Sequence, residues 1–169
     1  MKYEMYVDGG CRGNGVEESC PAGIGIVILK DGYNVFEKFE TCYFEPNTNN
    51  KAELYAAIRG LEKFLEYSKE ITFEDTLTIY TDSAYTLNGI TSWIYGWRAR
   101  GWKTSTNSNV LNKDLWIQLD TLNKRVNQII DTQWSKVKGH ADNKYNNRVD
   151  KLANIAMDNW SRIEVDNCF

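Results

Sequence analysis

The sequence predicts an α/β fold, a five-stranded mixed sheet flanked by helices. Three observations carry this. β-rich runs open the chain and are joined by a hairpin signal. Later β-rich runs alternate with amphipathic helical stretches, giving the order βββαβααβα. Two of the β-rich runs end in an aspartate, Asp8 and Asp82, and in open α/β sheets ligands gather where strands end.

Tyr3 to Gly10 reads as a buried strand stopped by Gly9-Gly10. A glycine-rich turn, Cys11 to Gly15, and a polar loop through Pro21 follow. Ala22 to Leu29 is a second buried strand, and Lys30-Asp31-Gly32 suits a type I′ hairpin. Tyr33 to Phe44 mixes aromatic, β-branched and charged residues, as an edge strand would. From Lys51 to Tyr67, Leu54, Ile58, Leu61 and Leu65 share one helical face. Leu77 to Asp82 is a fourth strand, and Ser83 can cap a helix from Ala84 to Ile94 that Gly89 weakens. Trp93 to Lys103 carries three tryptophans, three basic residues and no acid. Lys113 to Val126 is an amphipathic helix, Ile129 to Val137 a fifth strand, and Asn146 to Trp160 a closing helix.

At 169 residues, one domain spanning 1–169 with a sizeable core is expected. The two prolines argue against long rigid linkers. No apolar run approaches the ~20 residues of a membrane helix, and the start, with Lys2 and Glu4, lacks the apolar stretch of a signal peptide. A cytoplasmic protein is expected, with a nuclear one as the alternative. Cys11, Cys20, Cys42 and Cys168 match no zinc spacing and read as reduced thiols. The net charge of −3 does not advertise nucleic-acid binding, but a clustered basic stretch can act against the overall sign.

Alone, Asp8 reads as a turn residue; its recurrence as Asp82 points to a site. Glu53 lies in the first turn of the first helix, where a carboxylate also favours the helix dipole. Asp150 lies in the last helix, where a solvated face is the alternative reading. If these carboxylates converge, each pair ~5 Å apart repels by about 3 kcal/mol at an effective dielectric of ~20. A cation relieves that, and oxygen donors without Cys or paired His select Mg²⁺ or Mn²⁺. Two such ions fit two-metal phosphoryl transfer. His140, the single histidine, is placed to move protons near neutral pH.

Five motifs occur in order: Tyr6 to Asn14, Thr48 to Leu54, Ile79 to Ser83, Trp93 to Thr104, and Val137 to His140 followed by Asn147 to Ala153. Through them the chain resembles type 1 ribonuclease H over almost its whole length. The resemblance implies a ribonuclease H-like sheet of three antiparallel strands followed by two parallel ones. It implies an endonuclease that hydrolyses the RNA strand of RNA–DNA hybrids, leaving 5′-phosphate and 3′-hydroxyl ends. Asp8, Glu53, Asp82 and Asp150 would be catalytic and hold the metal, with His140 assisting product release or proton transfer. Asn14, Asn49 and Asn50 would read the minor groove and the 2′-hydroxyls, which tell RNA from DNA. Thr48 and Asn112 resemble a DNA-phosphate pocket, although Thr48 could simply cap its helix. Trp93 resembles the wall of the DNA channel, and Arg98, Arg100 and Lys103 the basic protrusion that grips the hybrid. Trp97 and Trp102 are expected to pack instead. Departures are Pro46, where many relatives carry an Arg, Ala84, and the Val16 to Pro21 loop. A monomer is expected. The competing readings are a non-catalytic hybrid-binding module, against which four retained carboxylates speak, and a DNA integrase or transposase, against which the asparagines and the His140 loop speak.

Overall fold

The structure, a computed structural model, describes residues 1–13, 20–137 and 143–160. Five strands form one mixed sheet: β1 (Lys2–Cys11), β2 (Ala22–Lys30), β3 (Tyr33–Thr41), β4 (Thr76–Thr81) and β5 (Asp131–Lys136). Their spatial order is β3-β2-β1-β4-β5. β1, β2 and β3 pair antiparallel, while β4 lies parallel to β1 and β5 parallel to β4. The expected fold class is the one observed, with β3 at the edge. Asp31 and Gly32 both have positive φ, as the Asp-Gly hairpin requires.

Alternation along β1 divides the core. Tyr3, Met5 and Val7 point to one face, where α1 (Asn49–Tyr67) buries Leu54, Ile58, Leu61 and Phe64. Tyr6 points to the other face, where Val27, Leu29 and Val137 meet Val149 and Leu152 of α5 (Lys144–Asp158). α1 begins earlier than periodicity suggests because Thr48 Oγ1 accepts a hydrogen bond from Lys51 N at 3.1 Å. α5 also begins early, since the Asn143 side chain accepts from Tyr145 N and Asn146 N.

The tryptophan-rich stretch, left unassigned by sequence reading, is helical as far as Ala99. α2 (Ala84–Asn88) runs through a π-helical turn (Gly89–Trp93) into α3 (Ile94–Ala99). The fully buried Trp116 of α4 (Lys113–Asn127) lies against Gly89; a Cβ there would stand 1.9 Å from the Trp116 ring. Gly89 thus makes room for the indole rather than merely weakening a helix. Trp97 and Trp102 pack on the same core, Trp97 5.2 Å from Trp116 and 6.3 Å from Trp102 between ring centroids. Cys11, Cys20 and Cys42 are thiols, as expected; Cys168 lies outside the described residues.

Gly89→Ala is expected to destabilise the protein by about 1–3 kcal/mol through overpacking against Trp116. Gly96→Ala, whose methyl would meet only the movable Arg100 guanidinium at 3.0 Å, should be neutral or slightly stabilising. Urea denaturation of the two variants checks the contrast.

Candidate active site

Asp8 ends the buried run of β1 and is itself buried. Alternation places its side chain on the α5 face, two residues beyond Tyr6. Glu53 reaches it from α1 because that helix lies directly on the backbone of Gly9. A Cβ on Gly9 would stand 2.3 Å from Ala52 O and 2.8 Å from Glu53 N, so no larger residue permits this approach. The Gly9 amide donates to both carboxylates, to Asp8 Oδ1 at 3.0 Å and to Glu53 Oε1 at 2.5 Å. Asp82 follows β4 immediately. The parallel register pairs Tyr6 with Tyr80, so two residues further on Asp8 and Asp82 come level on neighbouring strands. One carboxylate oxygen from each of Asp8, Glu53 and Asp82 lies within 4.8 Å of the others.

Asp150 lies outside this tight trio, exposed on α5. It is nevertheless held close. Gly25 pairs with Asp8 across the β1–β2 ladder, and a Cβ on Gly25 would stand 2.3 Å from the carbonyl of Val149, the residue before Asp150. The charge of Asp150 is felt at Asp8.

Burial lifts the Asp8 carboxyl to about 7, and the charges of Asp82 and Asp150 push the same way. Hydrogen bonds from Glu53 and the Gly9 amide oppose the shift and are outweighed. Burial, and then the charge of Asp8, raises Glu53 well above the usual carboxylate range. Without a cation both carboxyls therefore hold a proton more tightly than free carboxyls do. Among the described residues, no Lys or Arg ion pair reaches any of the four carboxylates. A rigid set of hard oxygen donors with unrelieved repulsion fits a divalent cation of the Mg²⁺ or Mn²⁺ type.

The residues expected to touch nucleic acid fall into two groups. Asn49 and Asn50 are exposed at the start of α1, and Asn49 Oδ1 accepts from Cys11 N at 2.8 Å. Thr48 serves as the helix cap. Asn112, in a left-handed conformation, donates to Tyr85 Oη at 3.1 Å and borders a cleft of about 530 Å³ that Lys51 and Lys113 also line. Trp93 is exposed and meets Tyr85 edge-on at 5.9 Å. Arg98 turns inward: its guanidinium forms a two-pronged pair with buried Asp120, with Nε 3.0 Å from Oδ2, and lies over the Tyr95 ring. Arg100 is exposed and donates to Lys103 O, and Lys103 Nζ donates to Asn109 Oδ1 at 2.6 Å. Asn14 and His140 lie outside the described residues.

Sequence reading missed Tyr85. Its hydroxyl accepts from both Asn112 and Trp116 Nε1, and its ring supports Trp93. One tyrosine thus joins the aromatic wall to the Asn112 cleft. The only hint in the sequence is its position three residues after Asp82, second in α2.

Fold and site together define an α/β framework whose central parallel strands end in a carboxylate centre suited to a hard divalent cation. The family model for RNase H matches residues 1–158. The chain is 41% identical over 161 residues to a ribonuclease H of Clostridium botulinum, covering 95% of this chain and 98% of that protein. Its structure is similar to that of RNase H1 from the archaeon Halobacterium salinarum NRC-1, with a TM-score of 0.65 and 26% identity, covering 95% of this chain and 100% of that one. It is also similar to LC11-RNase H1 solved in complex with an RNA/DNA hybrid, with a TM-score of 0.65 and 25% identity, covering 93% and 97%. The chain belongs to the ribonuclease H family, as a type 1 enzyme.

The raised Asp8 carboxyl fixes the sign of a pH effect. Its folded value, about 7, exceeds the value of about 4 expected when unfolded, so its contribution is complete below pH ~4 and lost as pH rises through ~7. In EDTA the protein is expected to be more stable at pH 5.5 than at pH 8, by on the order of 1–3 kcal/mol. Asp82→Asn should raise metal-free stability at pH 8 by roughly 1 kcal/mol, since Asp82 is exposed and its repulsion screened. Thermal melts in EDTA check both. A flat pH profile, or a less stable Asp82→Asn variant, would count against a crowded cluster.

Proposed function

We propose that the chain is an endonuclease that hydrolyses the RNA strand of RNA–DNA hybrids, leaving 5′-phosphate and 3′-hydroxyl ends. The observation that carries this is the gathering of Asp8, Glu53 and Asp82 within 4.8 Å in a chain of this family, and the hybrid bound by LC11-RNase H1 supports the substrate. Asp8, Glu53, Asp82 and Asp150 would hold two Mg²⁺ ions, with Mn²⁺ able to replace them. When bound, these would supply an activated water and a charge that stabilises the departing oxygen. Because a cation takes deprotonated carboxylates, the raised Asp8 and Glu53 would make its binding pH-dependent. The Gly9 amide keeps both carboxylates aimed. His140 moves a proton or assists product departure.

Substrate recognition divides by chemistry. Asn14, Asn49 and Asn50 pair with base edges and 2′-hydroxyls, since an amide both donates and accepts. Thr48 and Asn112 hold a DNA-strand phosphate, and Pro46 brings no cation of its own to that grip. Trp93 offers a flat face to the DNA strand. Arg100 and Lys103 contribute charge to the backbone grip, while Arg98, committed to Asp120, shapes the protrusion that presents them. The chain acts as one domain over residues 1–169, as a monomer in the cytoplasm.

End-labelled RNA–DNA hybrid incubated with protein and Mg²⁺ is expected to lose its RNA strand, while double-stranded RNA and DNA stay intact. Asp8→Asn should lower the rate at least about 100-fold. The products should accept polymerase extension from their 3′ ends. Intact hybrid, or cleavage indifferent to Asp8→Asn, would overturn the proposal.

A further inference from the structure

Beneath the carboxylates lies a layer of aromatic rings that the chemistry above does not use. Tyr6 stacks on Tyr80 with ring centroids 4.7 Å apart and planes 14° apart, and Tyr145 leans on Tyr6 at 5.6 Å. These rings join the second core cluster, on the α5 face of the sheet. Their positions follow those of the acids. Tyr6 precedes Asp8 by two residues on β1, Tyr80 precedes Asp82 by two on β4, and Tyr145 precedes Asp150 by five on α5. Each of the three elements that delivers an aspartate therefore also delivers a tyrosine to one stack.

We propose that the Tyr6–Tyr80–Tyr145 stack braces α5 against β1 and β4, and so makes these tyrosines positioning residues for the cation site. This rests on the reading of the cluster as a cation cradle. The carboxylates repel; ladder hydrogen bonds hold β1 against β4, whereas α5, which brings Asp150, is held to the sheet by packing. A stack of large, stiff rings resists displacement there, because closely packed side chains transmit strain instead of absorbing it. The Asn143 side chain caps α5 and accepts from the Tyr145 amide, fixing the start of the helix that carries this ring. Lys144 Nζ covers the outer face of Tyr145 at 5.5 Å from the ring centroid. On the opposite face of the sheet, Phe64 meets Tyr3 edge-on at 5.3 Å. That contact joins β1 to α1 eleven residues, about three helical turns, beyond Glu53, far along the helix from the acids, so it serves as an internal control.

The test is a Mg²⁺ titration of substrate-free protein followed by the amide signal of Gly9. Tyr80→Leu and Tyr145→Leu are each expected to weaken Mg²⁺ binding roughly 10-fold, as removal of outer-shell support does elsewhere. Tyr145→Phe, which keeps the ring, should restore wild-type affinity. Phe64→Leu should lower the melting temperature at least as much while leaving the dissociation constant unchanged. The proposal is overturned if both Leu variants bind Mg²⁺ like wild type, or if Phe64→Leu weakens binding equally. Wild-type protein that binds no Mg²⁺ would instead overturn the cation reading beneath it.

Discussion

The Asp8–Glu53 contact is the constraint on which the rest of the site depends. Two buried carboxyl groups meet on one backbone amide, that of Gly9, and burial is the largest cause of both upward shifts. The folded chain has spent stability to hold them there. What holds them is backbone: α1 rests on Gly9 closely enough to exclude any side chain, and one amide serves both acids. Asp82 then arrives by strand register and Asp150 by the docking of α5 over Gly25. Rigid elements deliver every acid, which is the condition for a preorganised site.

A second constraint shapes the face beside it. Trp116 packs against Gly89, where the π-helical turn begins, and beyond it Trp93 is exposed while Trp97 and Trp102 pack inward. Tyr85 links this wedge to Asn112. Asp120, buried and paired with both Arg98 and Lys124, then fixes the base of the protrusion. Arg98 is thereby committed within the protein, so its role here is shape before contact.

The sheet was legible because its strands are rich in aromatic and β-branched residues and are punctuated by turn residues such as Gly9-Gly10 and Asp31-Gly32. Its antiparallel half followed from the run of strands and the Asp-Gly hairpin; the parallel half came with the family resemblance. Asp8 and Asp82 could be read from recurrence, since each ends a β-rich run, whereas Glu53 came only with that resemblance. Three things could not be read. Helix starts at Asn49 and Lys144 depend on whether Thr48 and Asn143 turn their side chains back onto the helix. The packing of Gly89 on Trp116, 27 residues away, is encoded by no local pattern. The inward turn of Arg98 was hidden for the same reason, since Asp120 lies on another helix.

Crystals soaked in Mn²⁺ offer the most direct test of the central claim, that these acids are crowded to hold a divalent cation. Anomalous difference density should reveal an ion about 2 Å from oxygens of Asp8, Glu53 and Asp82. An empty cluster beside Mn²⁺ bound elsewhere on the protein would contradict it.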